Sequence, residues 1–139
     1  MHAKGPIIVI EDDQDDQEIL KDVMQDLGIK DELRFFDDCE RAFDYLVSTP
    51  DKPFLIICDI NLPRMNGIEL KQRIDATNHL RQMAVPFIFL TTSDNQKTVN
   101  DAYRTTHIQG YFTKQPMLDE IKRKLKLILN YWTEALHPV

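Results

Sequence analysis

At 139 residues the chain is long enough for one ordinary hydrophobic core and too short for two, so residues 1–139 are expected to form a single domain. A formal net charge of −6 repels phosphate polymers and anionic lipid, which argues against nucleic acid and membrane surfaces as partners. The opening Met1-His2-Ala3-Lys4-Gly5-Pro6 leads straight into a short apolar run with the length of neither a signal peptide nor a membrane span, so the expected location is the cytoplasm.

Short apolar runs then alternate with segments of helical period, the pattern of a parallel sheet with crossover helices. The predicted strands are Pro6 to Ile10, Glu32 to Phe36, Phe54 to Cys58, Pro86 to Thr91 and Gln109 to Thr113. Between them, helical spacing relates Ile19, Leu20, Val23 and Leu27, then Phe43, Leu46 and Val47, then Leu70 and Ile74, then Val99, Ala102 and Tyr103. A fifth helix is predicted to start near Pro116, which suits a first helical turn, and to run through Met117, Ile121, Leu125, Ile128 and Trp132. Leu136 to Val139 read as a short tail. The fold class that follows is α/β, a doubly wound, five-stranded parallel sheet with five helices, and the flavodoxin-like order 2-1-3-4-5 is expected as the commonest arrangement of five such strands. Such folds bind ligands beyond the carboxyl ends of the strands, at the switch point between the first and third.

Cys39 and Cys58 are the two cysteines, and Cys58 lies inside an apolar run, where a thiol behaves as a small buried hydrophobe; neither a disulfide nor a thiol metal site is expected. His2, His79, His107 and His137 are too scattered for a zinc site or a His-assisted nucleophile, and read as surface or locally bonded residues.

The residues that close the relevant strands are Glu11 and Asp12 after the first, Asp59 after the third, Thr91 on the fourth and Lys114 after the fifth, and all face one crevice. Three carboxylates in a partly desolvated pocket repel one another unless one is protonated or a cation sits among them. An oxygen-only set without sulfur or imidazole points to a hard ion, and few carboxylates suit Mg2+ better than a Ca2+ cage. A metal alone does not require Thr91 and Lys114. A phosphoryl group on Asp59 does, because its oxygens can be shared by the cation, a hydroxyl and an ammonium. Taken singly, Thr91 reads as a β-branched strand residue and Lys114 as a solvated lysine. Glu11 and Asp12 could equally serve a helix dipole; for Asp13, Asp15 and Asp16 the capping and dipole reading is preferred.

Four segments in order, each after a strand, carry a resemblance that spans essentially the whole chain: Ile7-Ile-Val-Ile-Glu11-Asp12, Ile56-Ile-Cys-Asp59-Ile-Asn-Leu-Pro63-Arg-Met-Asn-Gly67, Phe89-Leu-Thr91-Thr-Ser93, and Gly110-Tyr111-Phe-Thr-Lys114. Together they resemble the response-regulator receiver family, which includes chemotaxis receivers. The long last helix with Asn130-Tyr131-Trp132 is similar to the small regulators that partner phytochrome-type sensor kinases. The resemblance implies that Asp59 is the phosphoacceptor, that Glu11, Asp12, Asp59 and the main-chain carbonyl of Asn61 hold Mg2+, that Thr91 and Lys114 bind the phosphoryl oxygens, and that Thr91 and Tyr111 form the switch. It implies a two-component, non-enzymatic regulator that takes a phosphoryl group from a sensor histidine kinase and changes its face toward a downstream protein target. The sequence departs from the family at Gln115, which separates Lys114 from Pro116 where a cis Lys-Pro peptide is usual, and at Thr92, where a smaller residue is common.

With no output domain expected after the last helix, the signal passes by protein binding or self-association. Leu127, Leu129 and Tyr131 lie partly off the apolar seam of that helix, and two readings stay open: they complete the core, or they pair with a second copy through the fourth helix, fifth strand and fifth helix. Three rival functions remain. An aspartate-nucleophile phosphatase needs a second Asp where Asn61 stands. A flavin-phosphate binder needs a glycine- or hydroxyl-rich loop where Glu11-Asp12-Asp13 stands. A degenerate receiver would bind protein without taking up Mg2+.

Overall fold

The structure is a computed structural model and describes residues 5–114 and 116–137. Its strands are β1 (Ile7–Ile10), β2 (Leu33–Phe36), β3 (Leu55–Cys58), β4 (Phe87–Thr91) and β5 (Gly110–Thr113), all parallel and in the order β2-β1-β3-β4-β5. The helices are α1 (Gln14–Asp26), α2 (Cys39–Ser48), α3 (Gly67–Asp75), α4 (Asn78–Met83), α5 (Gln96–Thr105) and α6 (Leu118–Glu134). The expected order of the sheet is thus the observed one, and the chain crosses from one side of β1 to the other between β2 and β3.

β1, β3 and β4 are buried along their whole length, as expected of parallel strands covered on both faces. Their side chains alternate. Ile8, Ile10, Ile56, Cys58, Phe87 and Phe89 face α2 to α5 in one half-core, while Ile7, Val9, Leu55, Ile57, Ile88 and Leu90 face α1 and α6 in the other. Burying one Leu or Ile of this kind contributes on the order of 2 kcal/mol. Asp13, Asp38, Asn66 and Asn95 cap α1, α2, α3 and α5, each accepting the amide three residues on. Asn66 and Glu69 complete a reciprocal capping box at α3.

Among the described residues there are six helices where the sequence predicts five. The additional one, α4, is a six-residue turn between α3 and β4 with Leu80 as its buried residue, too short to show a helical period. It ends on Ala84 in the left-handed region, at φ 51°. The fourth predicted helix therefore corresponds to α5 and the fifth to α6. The last helix begins at Leu118, two residues after Pro116, with Met117 as its extended N-cap at φ −82° and ψ 124°. Within α6, Leu129 belongs to the core, fully buried in the α1-side cluster, whereas Leu127 and Tyr131 are 55% and 62% exposed. The expected tail is partly fastened: His137 packs on Phe54 and Trp132. Gln115, the Lys114–Gln115 peptide, residues 1–4 and residues 138–139 lie outside the described residues.

Candidate functional site

The carboxyl ends of β1, β3 and β5 deliver three groups to one place by backbone pairing alone. Ile10 is in register with Cys58, so Glu11 and Asp59 leave the sheet side by side, and the Asp59 amide donates to the Ile10 carbonyl at 3.0 Å. Beyond β5, the Lys114 amide donates to the Thr91 carbonyl at 2.7 Å, which carries Lys114 to the same end. Asp59 is 8% exposed and Glu11 2% exposed. Carboxylates this far from water require partners.

Those partners are present. Asp59 Oδ1 accepts the amides of Ile60 at 2.7 Å and Asn61 at 3.3 Å, and Oδ2 accepts from Lys114 Nζ at 3.3 Å. Lys114 Nζ also reaches Glu11 Oε1 and, at 2.8 Å, Asp16 Oδ2. The other Glu11 oxygen accepts the Asp13 amide at 3.2 Å, and Gln17 Nε2 donates to the Glu11 carbonyl. Oxygens of Glu11, Asp12 and Asp59 all lie within 4.8 Å of one another, close enough to share an ion, with Asp12 facing solvent. Three carboxylates, Glu11, Asp16 and Asp59, thus pair with one ammonium while Asp12 stands beside two of them, and the excess negative charge suits a hard dication.

The electrostatics carry the same imbalance. Burial pushes the Glu11 carboxyl up to about 7, against the lowering influence of its hydrogen bond and attraction to Lys114, and the Asp59 charge adds to the rise. Burial alone would pull Lys114 down. The hydrogen bonds from Asp16 and Glu11 and the Asp59 charge outweigh it and hold the ammonium above the ordinary lysine range.

The β3–α3 loop is fixed by main-chain contacts. Gly67 N donates to the Ile60 carbonyl at 3.0 Å, and a Cβ at Gly67 would stand 2.3 Å from the Asp59 carbonyl oxygen, so the close approach needs glycine there. The Cys58 thiol, free and buried like Cys39, lies 3.0 Å from that same carbonyl, to which it donates.

Thr91 is fully buried at the end of β4; its hydroxyl accepts the Ser93 amide at 3.3 Å, and no bond from it to Asp59 is present among the described residues. Tyr111 is half-buried. Its ring packs edge-on against Phe89 at 5.9 Å, and its hydroxyl donates to the Ser93 carbonyl at 2.5 Å. Asn61 Nδ2 donates to Ser93 Oγ at 2.6 Å, joining the β3–α3 and β4–α5 loops across the crevice. Thr92 is exposed. The structure therefore gathers Glu11, Asp12, Asp59 and Lys114 directly, and links Thr91, Tyr111 and Asn61 through Ser93. Two residues of this network carry no such role in the sequence reading. Asp16, read there as a dipole residue, pairs with Lys114; Ser93 ties three site residues together.

Residues 7–126 match the family model described as the response regulator receiver domain. This chain belongs to the response regulator receiver family. It is similar to response regulator Rcp1 of Synechocystis sp., with 28% identity over 135 residues, covering 94% of this chain and 90% of that one. Among solved structures it resembles the phosphorylated cyanobacterial phytochrome response regulator RcpA, with a TM-score of 0.86, 26% identity and coverage of 96% and 98%. It also resembles the Mn2+-bound form of Rcp1, with a TM-score of 0.83, 28% identity and coverage of 96% and 99%. The chain is accordingly a receiver-domain response regulator of two-component signalling, a signalling protein whose kind interacts with histidine kinases and downstream targets. Its acidic pocket can bind a divalent metal. No helix among the described residues is long and apolar enough to cross a membrane.

Proposed function

We propose that Asp59 is the phosphoacceptor of this receiver and that Mg2+ is the ion held by Glu11, Asp12, Asp59 and the Asn61 carbonyl. The observation that carries this reading is the sharing distance among the Glu11, Asp12 and Asp59 oxygens beside the Lys114 ammonium. Transfer breaks the P–N bond of a sensor-kinase phosphohistidine and forms a P–O bond to the Asp59 carboxylate. The departing imidazole nitrogen keeps the electron pair. When bound, the ion supplies charge neutralisation for the phosphoryl oxygens. Lys114, already bonded to Asp59 Oδ2, is placed to pair with the transferred group, and the Ile60 and Asn61 amides hold the acceptor oxygen in place. The chemistry consists of positioning and charge balance, in keeping with a switch and not a turnover enzyme.

The switch follows from the contacts at Ser93. Drawing the Thr91 hydroxyl toward a phosphoryl group breaks its bond to the Ser93 amide, and Tyr111, bonded to the same residue's carbonyl and half-buried against Phe89, is released to a more buried rotamer. Phosphate shifts the population only by contacts made better in the second arrangement. The face built by α5, β5 and α6 is the readout. Exposed Leu127 and Tyr131 border an apolar groove of about 360 Å3 with Phe112 and Trp132, which supports pairing with a second copy there as well as binding a downstream protein. The net negative charge supports a partner other than nucleic acid or a membrane, and residues 1–139 are taken to act as a single cytoplasmic domain.

Incubation with a small phosphodonor and Mg2+ is expected to give base-labile label on the wild type and none on Asp59→Asn. Label that survives that substitution refutes the assignment.

A further inference from the structure

A second site lies at the opposite end of the sheet from the acidic crevice. A cavity of about 170 Å3, partly open to solvent, lies between α3, α4, the start of β4 and the residues just before β5. Its walls are largely apolar, from Ile74, Leu80, Val85 and Phe87, with one charge pair, Lys71 and Asp75, set among them. Lys71 is 6% exposed, and an ammonium so far from water requires compensation.

Asp75 gives only part of it. Its Oδ1 accepts from Lys71 Nζ at 2.6 Å, and its Oδ2 accepts the His107 amide at 2.9 Å, so both carboxylate oxygens are engaged. The ammonium carries three protons and has, among the described residues, this one acceptor; its other neighbour is the Phe87 ring, 5.5 Å away. The unused hydrogen-bonding capacity of the cavity is therefore that of a donor, and Arg81 adds a second positive group to the wall. A cation would be repelled by the Lys71 ammonium and the Arg81 guanidinium. A neutral hydrocarbon leaves the ammonium as it is, and a hydrated inorganic anion wastes the apolar surface.

We propose that this cavity is a binding site for a small aromatic monocarboxylate, its carboxylate on Lys71 Nζ and its ring between Leu80 and Phe87. The size agrees, since a dry cavity of about 150 Å3 lined by Leu, Ile and Phe admits one benzene ring. The site shares no residue with the acidic crevice and does not depend on the phosphoacceptor assignment.

The test is amide NMR of the full chain titrated with benzoate and, separately, with toluene as its uncharged counterpart. Expected are saturable benzoate shifts at Ile74, Phe87 and Gln109, weakened roughly tenfold or more in Lys71→Met while toluene binding is retained. Val85→Phe fills the cavity with the charges in place and is expected to abolish both. Lys71→Gln, which keeps a donor for Asp75, replaces Lys71→Met if that variant does not fold. The proposal is overturned if benzoate gives no saturable shifts, if the Lys71 variant binds it as well as the wild type, or if toluene binds and benzoate does not.

Discussion

Glu11 makes the stability of the metal-free protein depend on pH in an unusual direction. Its carboxyl is raised from 4.5 to about 7 in the folded chain, chiefly by burial. Between those values the folded state holds a proton that the unfolded state has released, so the contribution to stability is complete below pH 4.5 and is lost as pH rises toward 7. At about 1.4 kcal/mol per pH unit the loss amounts to about 3 kcal/mol. Lys114, held above the ordinary lysine range, is charged in both states throughout this window and adds no slope. Glu11→Gln keeps an acceptor for Lys114 without the titration. Denaturant midpoints measured in a chelator from pH 4.5 to 8 are expected to show the variant gaining on the wild type by about 3 kcal/mol over that range. On the proposal that Glu11 ligates Mg2+, adding the ion should reverse the trend in the wild type more than in the variant, because a metal ligand must be deprotonated and binding then releases its proton. A gap between wild type and variant that is constant with pH, or one that closes as pH rises, refutes the reasoning.

Other perturbations follow from single contacts. Gly67→Ala sets a methyl against the Asp59 carbonyl and is expected to destabilise by about 1–3 kcal/mol in denaturant melts and to weaken Mg2+ binding measured by calorimetry. Ala84→Gly relieves a left-handed residue at the end of α4 and is expected to be neutral to stabilising, by up to about 1 kcal/mol. Leu125→Ala, at a fully buried position of α6, should cost about 2–5 kcal/mol in the same assay. Leu127→Lys combined with Tyr131→Lys is expected to leave stability within about 1 kcal/mol of the wild type and to abolish any dimer in sedimentation; monomer at every phosphorylation state of the wild type refutes the pairing.

β1, β3 and β4 were legible because strands buried on both faces write themselves as continuous apolar runs, while β2 and β5 are only partly buried; each predicted strand contains an observed one starting a single residue later. Position in the strand order then brought Glu11, Asp59 and Lys114 together before any contact was known. What escaped the sequence did so for local reasons. α4 has one buried residue and hence no period to detect. Asp16 lies in the first turn of α1, where an acidic residue has an ordinary explanation in the helix dipole; only the arrival of Lys114 from across the sheet gives it another. Ser93 is an unremarkable hydroxyl until Asn61 and Tyr111 converge on it from two other elements. That the sequence left Leu129 open between core and pairing face has a similar cause. A seam drawn on an isolated helix cannot include the side chains that α1 covers from one flank.

The loop that carries Asp59 is fastened mainly by backbone atoms: the Asp59 amide on Ile10, the Leu62 and Gly67 amides on Ile60, and the bare Gly67 Cα against the Asp59 carbonyl. Because such ties ignore side-chain identity, the surrounding residues are free to drift over evolutionary time while the Asp59 carboxylate stays where it is. Only Gly67, whose missing side chain is itself the fastening, is denied that freedom.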